Sequence, residues 1–328
     1  MSAAARLDGF QRRHTWLGFP LGVIYKFIDD EGGYLAALIT FYGFVSLFPL
    51  LLLLVSVLGY ALEGNPALRE AVLGSALQQL PIVGPQLQQN VGSIHGSSTA
   101  VILGVIGAVY GGLGVSVAIQ TALNEVWAVP RYARPDPIVS RLRGLLLFGL
   151  LGGLVVITTA LSAAGPVVAS LGYGDSWVRA AAIVVAMSAN VGAFLIGFRV
   201  LTAREIPLSD LIPGAVGAGI GVQLLQIGGA AFIGALSGSS QVYGVFGLVL
   251  GLLAYLYLQA VIVVFCAEIN VVRARRLWPR NLLTLFVQDV ALTAADRASY
   301  RSYVEAERFK PSQRVRTTFD RPQPEDEP

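Results

Sequence analysis

The sequence predicts an all-α polytopic membrane protein with six transmembrane helices and both termini in the cytoplasm. Three observations carry this. Apolar residues make up 55% of the 328 and charged residues 13%, against roughly 25% charged in a typical soluble domain. Six segments match the ~20 mostly apolar residues that a helix needs to cross hydrocarbon. Lys and Arg gather on alternate loops, which sets orientation.

The elements follow in order. Residues 1–33 form a cytoplasmic N-terminal segment with Arg6, Arg12, Arg13 and Lys26. It has no continuous apolar core followed by a small-residue cleavage site, so the first long apolar run is expected to stay as an anchor. Within it, residues 16–28 are too short to span and read as an interfacial helix on the inner leaflet, with Trp16 as anchor. The membrane domain, 34–272, holds predicted spans at Tyr34–Tyr60, Thr99–Ala122, Gly144–Gly165, Val178–Leu201, Leu211–Leu236 and Val242–Val272. These runs are too long and continuous for barrel strands, and helices pair their own backbone groups in lipid. The last is long enough to tilt or to project into the cytoplasm.

Arg69 is the one basic residue of the first outer loop, and Arg179 edges the fourth span on the same side. The inner loops hold Arg131, Arg134, Arg141, Arg143, Arg199 and Arg204, and eleven Lys and Arg follow Val272. An odd number of spans breaks this alternation. In the outer loop, Asn65 caps a helix with Pro66 at its first position. Pro81 and Pro85 interrupt it, predicting a short amphipathic hairpin over 65–94. The tail, 273–328, carries a soluble helix near 289–310 and is expected to be disordered after about 311.

Buried polar groups cost free energy unless paired, so polar residues inside spans are the candidates for chemistry. Tyr42 and Ser46 in span one, Asn124 and Glu125 at the end of span two, and Glu268 and Asn270 near the end of span six all fall in the cytoplasmic half. Together they are expected to line a polar cavity open to the inside. Asn190, Gln223 and Gln226 sit deeper and read as helix-to-helix hydrogen bonds, worth about 0.6–2 kcal/mol each. Glu268 has two readings: a transport or ligand role, as for any intramembrane acid, or a structural one beside Arg273, Arg275 and Arg276 or against span two. Pro49 removes a backbone hydrogen bond inside span one and predicts a kink. Pro213 reads as the start of span five. Gly pairs four apart, such as Gly107–Gly111, Gly149–Gly153 and Gly217–Gly221, read as close packing between helices of the same chain.

Enzymatic signatures are absent. His14 and His95 are the two histidines, and neither has a metal-ligand partner at useful spacing. Cys266 is the single cysteine and reads as a small buried apolar residue. No catalytic residue, metal or cofactor is expected. The basic balance reflects membrane sidedness, so no nucleic-acid partner is expected either. Membrane lipids are, together with envelope-assembly proteins or a second copy as further partners.

Four stretches stand out: Tyr42, Ser46, Leu47, Phe48 and Pro49 in span one, LNEVW from Leu123 to Trp127, IPGA from Ile212 to Ala215, and YGVFG…YLYLQA…AEIN in span six. Together they resemble the YihY/BrkB family of bacterial inner-membrane proteins, and the tail pattern LTAADRASYRSYVEAE, Leu292 to Glu307, looks like that of actinobacterial members. The resemblance spans roughly residues 20–275 in the expected order. It implies six spans, location in the inner membrane and a link to envelope integrity, without a settled molecular activity. An older label for the family, ribonuclease BN, finds no support here. RNA hydrolysis needs a clustered acid and base or metal ligands, and these residues are scattered. The function expected is transport or flipping of a lipid or other envelope component. The alternative is a non-transporting structural protein.

Overall fold

The computed structural model describes residues 8–11, 14–61, 98–147, 149, 153, 175–237, 240–284, 287 and 290–319. Among these, every regular element is a helix. Seven are bounded: α1 (Thr15–Asp29), α2 (Gly32–Ala61), α3 (Ser98–Val126), α4 (Asp175–Leu201), α5 (Leu208–Ser237), α6 (Ser240–Arg275) and α7 (Ala294–Ala306). A single 3₁₀ turn, Arg131–Ala133, follows α3, and residues 137–147 are helical. The predicted outer hairpin at 65–94 and most of the predicted third span lie outside the described residues.

Composition explains the long helices. α2, α5 and α6 run for 30, 30 and 36 residues, about 45–54 Å at 1.5 Å per residue. Leu208–Gln226 and Val249–Arg275 are each long and apolar enough to cross a membrane, and Gly32–Leu47 and Met187–Leu201 are shorter apolar helices. The outward faces are apolar too. α2 exposes Tyr34, Leu38, Phe41 and Val45, and α5 exposes Leu208, Ile212, Val216, Ile220 and Leu224.

Glycines set the two closest helix pairs. Along α3, a Cβ at Gly107, Gly111 or Gly114 would fall within 3 Å of Pro49, Ser46 or Tyr42 of α2 respectively. Along α5, Gly214, Gly217 and Gly221 face Asn270, Cys266 and Ile262 of α6. Both sets step antiparallel. Gly149 and Gly153 differ: no atom of the described residues lies within 4 Å of where their side chains would start.

Helix ends are built by backbone chemistry. α3 and α6 both finish with a residue in the left-handed region, Ala128 (φ 46°) and Arg276 (φ 53°). Val129 N–H then donates to Asn124 O (2.8 Å) and Leu277 N–H to Val272 O (3.0 Å). This is the double-bonded helix terminus that places an apolar residue back on the core, and Val129 and Leu277 are buried there. Pro213 departs from its predicted place. α5 begins at Leu208, so Pro213 lies in its second turn. The proline cannot donate to Ser209 O, and Arg273 Nη1 donates to that carbonyl instead (3.3 Å).

α1 is the predicted helix of 16–28. Its face carrying Val23 and Lys26 is buried, while Trp16 (70% exposed), Ile24 and Ile28 point away from the protein. α7 is the predicted tail helix, capped by Thr293, whose hydroxyl accepts from Asp296 N–H while Asp296 accepts from Thr293 N–H. Of the stretch expected to be disordered, 311–319 is described: it has no helix, and Phe319 lies 5.6 Å from the Arg301 guanidinium.

Candidate functional site

The site is a group of ionisable side chains where α3 and α6 end and α2 begins. Lys26 stands in the last turn of α1 with none of its side chain exposed. Its Nζ donates to Asp30, one turn on, and to the carbonyl of Val126 (3.2 Å). Val126 is the last residue of α3, so its carbonyl lacks a partner within the helix, and the helix dipole there favours a cation. The third neighbour of Lys26 is Glu268 of α6, 3.6 Å away and fully buried. The ring of Tyr303 of α7 lies over the ammonium at 5.1 Å.

This cluster is under-satisfied. Among the described residues, neither oxygen of Glu268 has a hydrogen-bond partner, nor does Oδ1 of Asp30. Burial raises the Asp30 carboxyl above its ordinary range, against the opposing pull of Lys26.

A second, better satisfied cluster closes over the first. Arg280 is 1% exposed and forks between Asp29 (2.7 Å) and Asp296 (2.5 Å), with Ser299 Oγ at 3.2 Å. Asp296 also accepts from the backbone of Asn281 (3.1 Å). Asp29 and Asp296 hold the Arg280 guanidinium charged against the cost of burial. Burial raises the Tyr303 hydroxyl, and the nearby carboxylates of Asp30 and Asp29 add to that. Tyr25 Oη donates to Leu282 O (2.5 Å) and Leu282 N–H to Asp8 (3.0 Å), so the N-terminal residues bind the same segment. α7 and the chain leading to it therefore form a lid on Lys26.

Of the nine polar candidates, Glu268 alone joins this group. Asn270 Oδ1 accepts from Gly214 N–H (2.6 Å) and fixes α6 to α5. Asn124 Oδ1 accepts from Ala203 N–H (2.8 Å), holding the end of α4 to α3. Glu125 pairs with Arg134 (2.8 Å). Ser46 donates to Gly43 O (2.9 Å) within α2, and Tyr42 packs on Gly114. Asn190, Gln223 and Gln226 are half-buried on α4 and α5, apart from the cluster. Pro49 packs on Gly107, and α2 continues through it as one helix. Two adjoining apolar grooves open sideways between α2 and α6, of about 490 and 360 Å³, sharing Ala37 and Tyr257. None of the nine candidates lines them.

Sequence reasoning missed Lys26, Asp30, Arg280 and Tyr303. A signal existed for two of them: Val23, Lys26 and Asp30 share one face of a helix by their spacing, and that face is otherwise apolar. Among the described residues no group of three or more His, Cys, Asp and Glu is placed to hold a metal ion.

Residues 23–282 match the family described as Virulence factor BrkB. An uncharacterized protein of Dickeya dadantii is 27% identical over 259 residues, covering 74% of this chain and 79% of its own length. The inner membrane protein YhjD of Escherichia coli is 26% identical over 259 residues, 74% of this chain and 77% of its own. A UPF0761 membrane protein of Psychrobacter is 23% identical over 267 residues, 78% of this chain and 48% of its own. No solved structure matches the chain.

Proposed function

The chain belongs to the virulence factor BrkB family of membrane proteins, and from that premise we propose that it moves a lipid or another envelope component across the bacterial inner membrane. In this reading it crosses the membrane six times with both ends cytoplasmic, and α1 lies on the inner leaflet through Trp16, Ile24 and Ile28. One observation carries the transport reading: Lys26, Asp30 and Glu268 are buried together, with three carboxylate oxygens unpartnered among the described residues. Burying each charge costs several kcal/mol even after relaxation, and an apolar replacement is often as stable. A purely structural bundle could fill this space with apolar side chains at similar stability, whereas intramembrane ionisable groups mark transport paths and relays.

Apart from Glu268, the polar residues expected to line an inward cavity have partners within the protein, Asn270 and Asn124 between helices and Glu125 with Arg134. In this reading the path runs along the sideways grooves between α2 and α6, which suit an acyl chain, with Glu31 lining the larger one. The test is transfer of fluorescent phospholipid between leaflets of liposomes holding purified protein. Transfer above empty vesicles, reduced by Glu268→Gln and by Ala37→Trp in the groove, is the expected result. Rates equal to empty vesicles for the parent protein across the common bacterial headgroups reject it.

A second reading, a non-transporting support of envelope integrity, draws on the tail. Arg301, Arg308, Arg314 and Arg316 line an open groove of about 440 Å³ beside α7, a surface for an acidic partner. Crosslinking in cells from position 301 decides this reading: a stoichiometric envelope protein favours it, and products with lipid alone disfavour it.

A further inference from the structure

We propose that Asp30 and Glu268 hold one exchangeable proton between them beneath α7, which makes the cluster a proton-binding site. The argument starts from donors and acceptors. The two carboxyl groups lie against the same ammonium, Asp30 accepting from Lys26 Nζ and Glu268 Oε2 standing 3.6 Å from it. An ionised carboxylate only accepts, so two of them form a hydrogen bond only when one carries a proton. Among the described residues no donor bonds either oxygen of Glu268, and none bonds Oδ1 of Asp30.

Charge leads to the same place. Lys26 is one ammonium facing two carboxylates, and all three side chains are sealed from solvent. The other charged groups do not supply the missing cation. Arg280 is held by Asp29 and Asp296. Arg275 donates to Trp127 O and stacks on its ring. Asp29, whose carboxylate also meets the Tyr303 hydroxyl at 3.5 Å, and Glu305 add negative potential to the region. Two like charges sharing a site cannot both ionise cheaply, and the pair takes up a proton as a unit. The ammonium of Lys26 already fills the cation position beside Asp30, which leaves a proton as the cation that fits.

The lid over this site has a separate origin in the sequence. The match to the family ends at residue 282, while Tyr303 and its helix lie at 294–306. The cover is thus supplied by a part of this chain beyond the family match. The inference stands whether or not a lipid is moved, because it concerns the resting protein.

Infrared spectroscopy of the full chain in detergent tests it. At pH 7 a carbonyl band of a protonated carboxylic acid is expected, sensitive to exchange into D₂O and falling as pH is raised. The band should be lost in Glu268→Gln and in Asp30→Asn, where a single carboxylate remains for Lys26. It should persist in Glu307→Gln, which alters an exposed acid paired with Arg131. Absence of the band from the parent protein at pH 7 overturns the proposal. So does its persistence in both cluster variants. If either variant elutes as aggregate, the pH titration of the parent band decides.

Discussion

Lys26 of α1 and Glu268 of α6 face each other across 3.6 Å with no solvent access to either side chain. The same ammonium reaches the final carbonyl of α3. One side chain from a short amphipathic helix therefore gathers the ends of two long ones. Its four-carbon stem lets a residue on the surface helix place charge inside the bundle.

Removing that charge should be costly. Lys26→Met keeps the stem and leaves Asp30 and Glu268 without a cation, a loss of about 3–5 kcal/mol for a broken buried pair. The reading is the half-life of monodisperse protein in detergent at elevated temperature, which should shorten sharply. A variant as durable as its parent would show that Lys26 does not hold the two acids.

Helix approach makes a contrast between glycines. A Cβ at Gly214 would stand well within 3 Å of Cys266 O, a backbone atom that cannot swing aside. Gly214→Ala should therefore cost about 1–3 kcal/mol, as overpacking does, while Gly43→Ala in α2, where no atom of the described residues lies within 4 Å of the new Cβ, should cost nothing. Thermal inactivation of the two variants side by side measures this. Equal losses would contradict the α5–α6 contact.

Arg280 fastens the lid through geometry as well as charge. Arg280→Lys keeps one positive charge but loses the planar fork that spans Asp29 and Asp296. α7 should loosen, seen as faster proteolysis between residues 283 and 293 with the membrane domain intact. Unchanged cleavage would place the strength of the lid elsewhere.

Stability should depend on pH with a definite sign. Burial raises the Asp30 carboxyl above 3.8, more than Lys26 lowers it. A group whose folded pKa is raised lends stability that is complete below its unfolded value and is lost as pH climbs through the folded one. The parent should thus grow less stable as pH rises above the ordinary carboxylate range, and Asp30→Asn should flatten that slope. The exposed Glu307 is shifted the other way by its hydrogen bonds from Arg131, so its small contribution is lost only as pH falls. A parent profile that rises with pH above the ordinary carboxylate range would contradict the assignment to Asp30.

Much of the architecture was legible in the chain. α2 at Gly32–Ala61 and α4 at Asp175–Leu201 lie over the predicted Tyr34–Tyr60 and Val178–Leu201. Long apolar runs have one way to satisfy their backbone in lipid. Gly107 and Gly217 likewise announced close contacts, because a missing side chain is a property of the residue itself. The site was less legible. Glu268 drew notice as an acid within an apolar run, and Asn270 and Asn124 drew the same notice yet serve to pin helix ends.

What the sequence determined by itself was the chain's division into apolar helices and basic connecting segments, since hydrophobicity and charge are summed along the chain. Only the tertiary structure decided that Lys26, Asp30 and Glu268 share one closed space and that Tyr303 covers it. Their meeting depends on the angle of α1 against α3 and α6 and on the fork of Arg280. Contacts between such distant residues arise from packing in three dimensions, which no local pattern records.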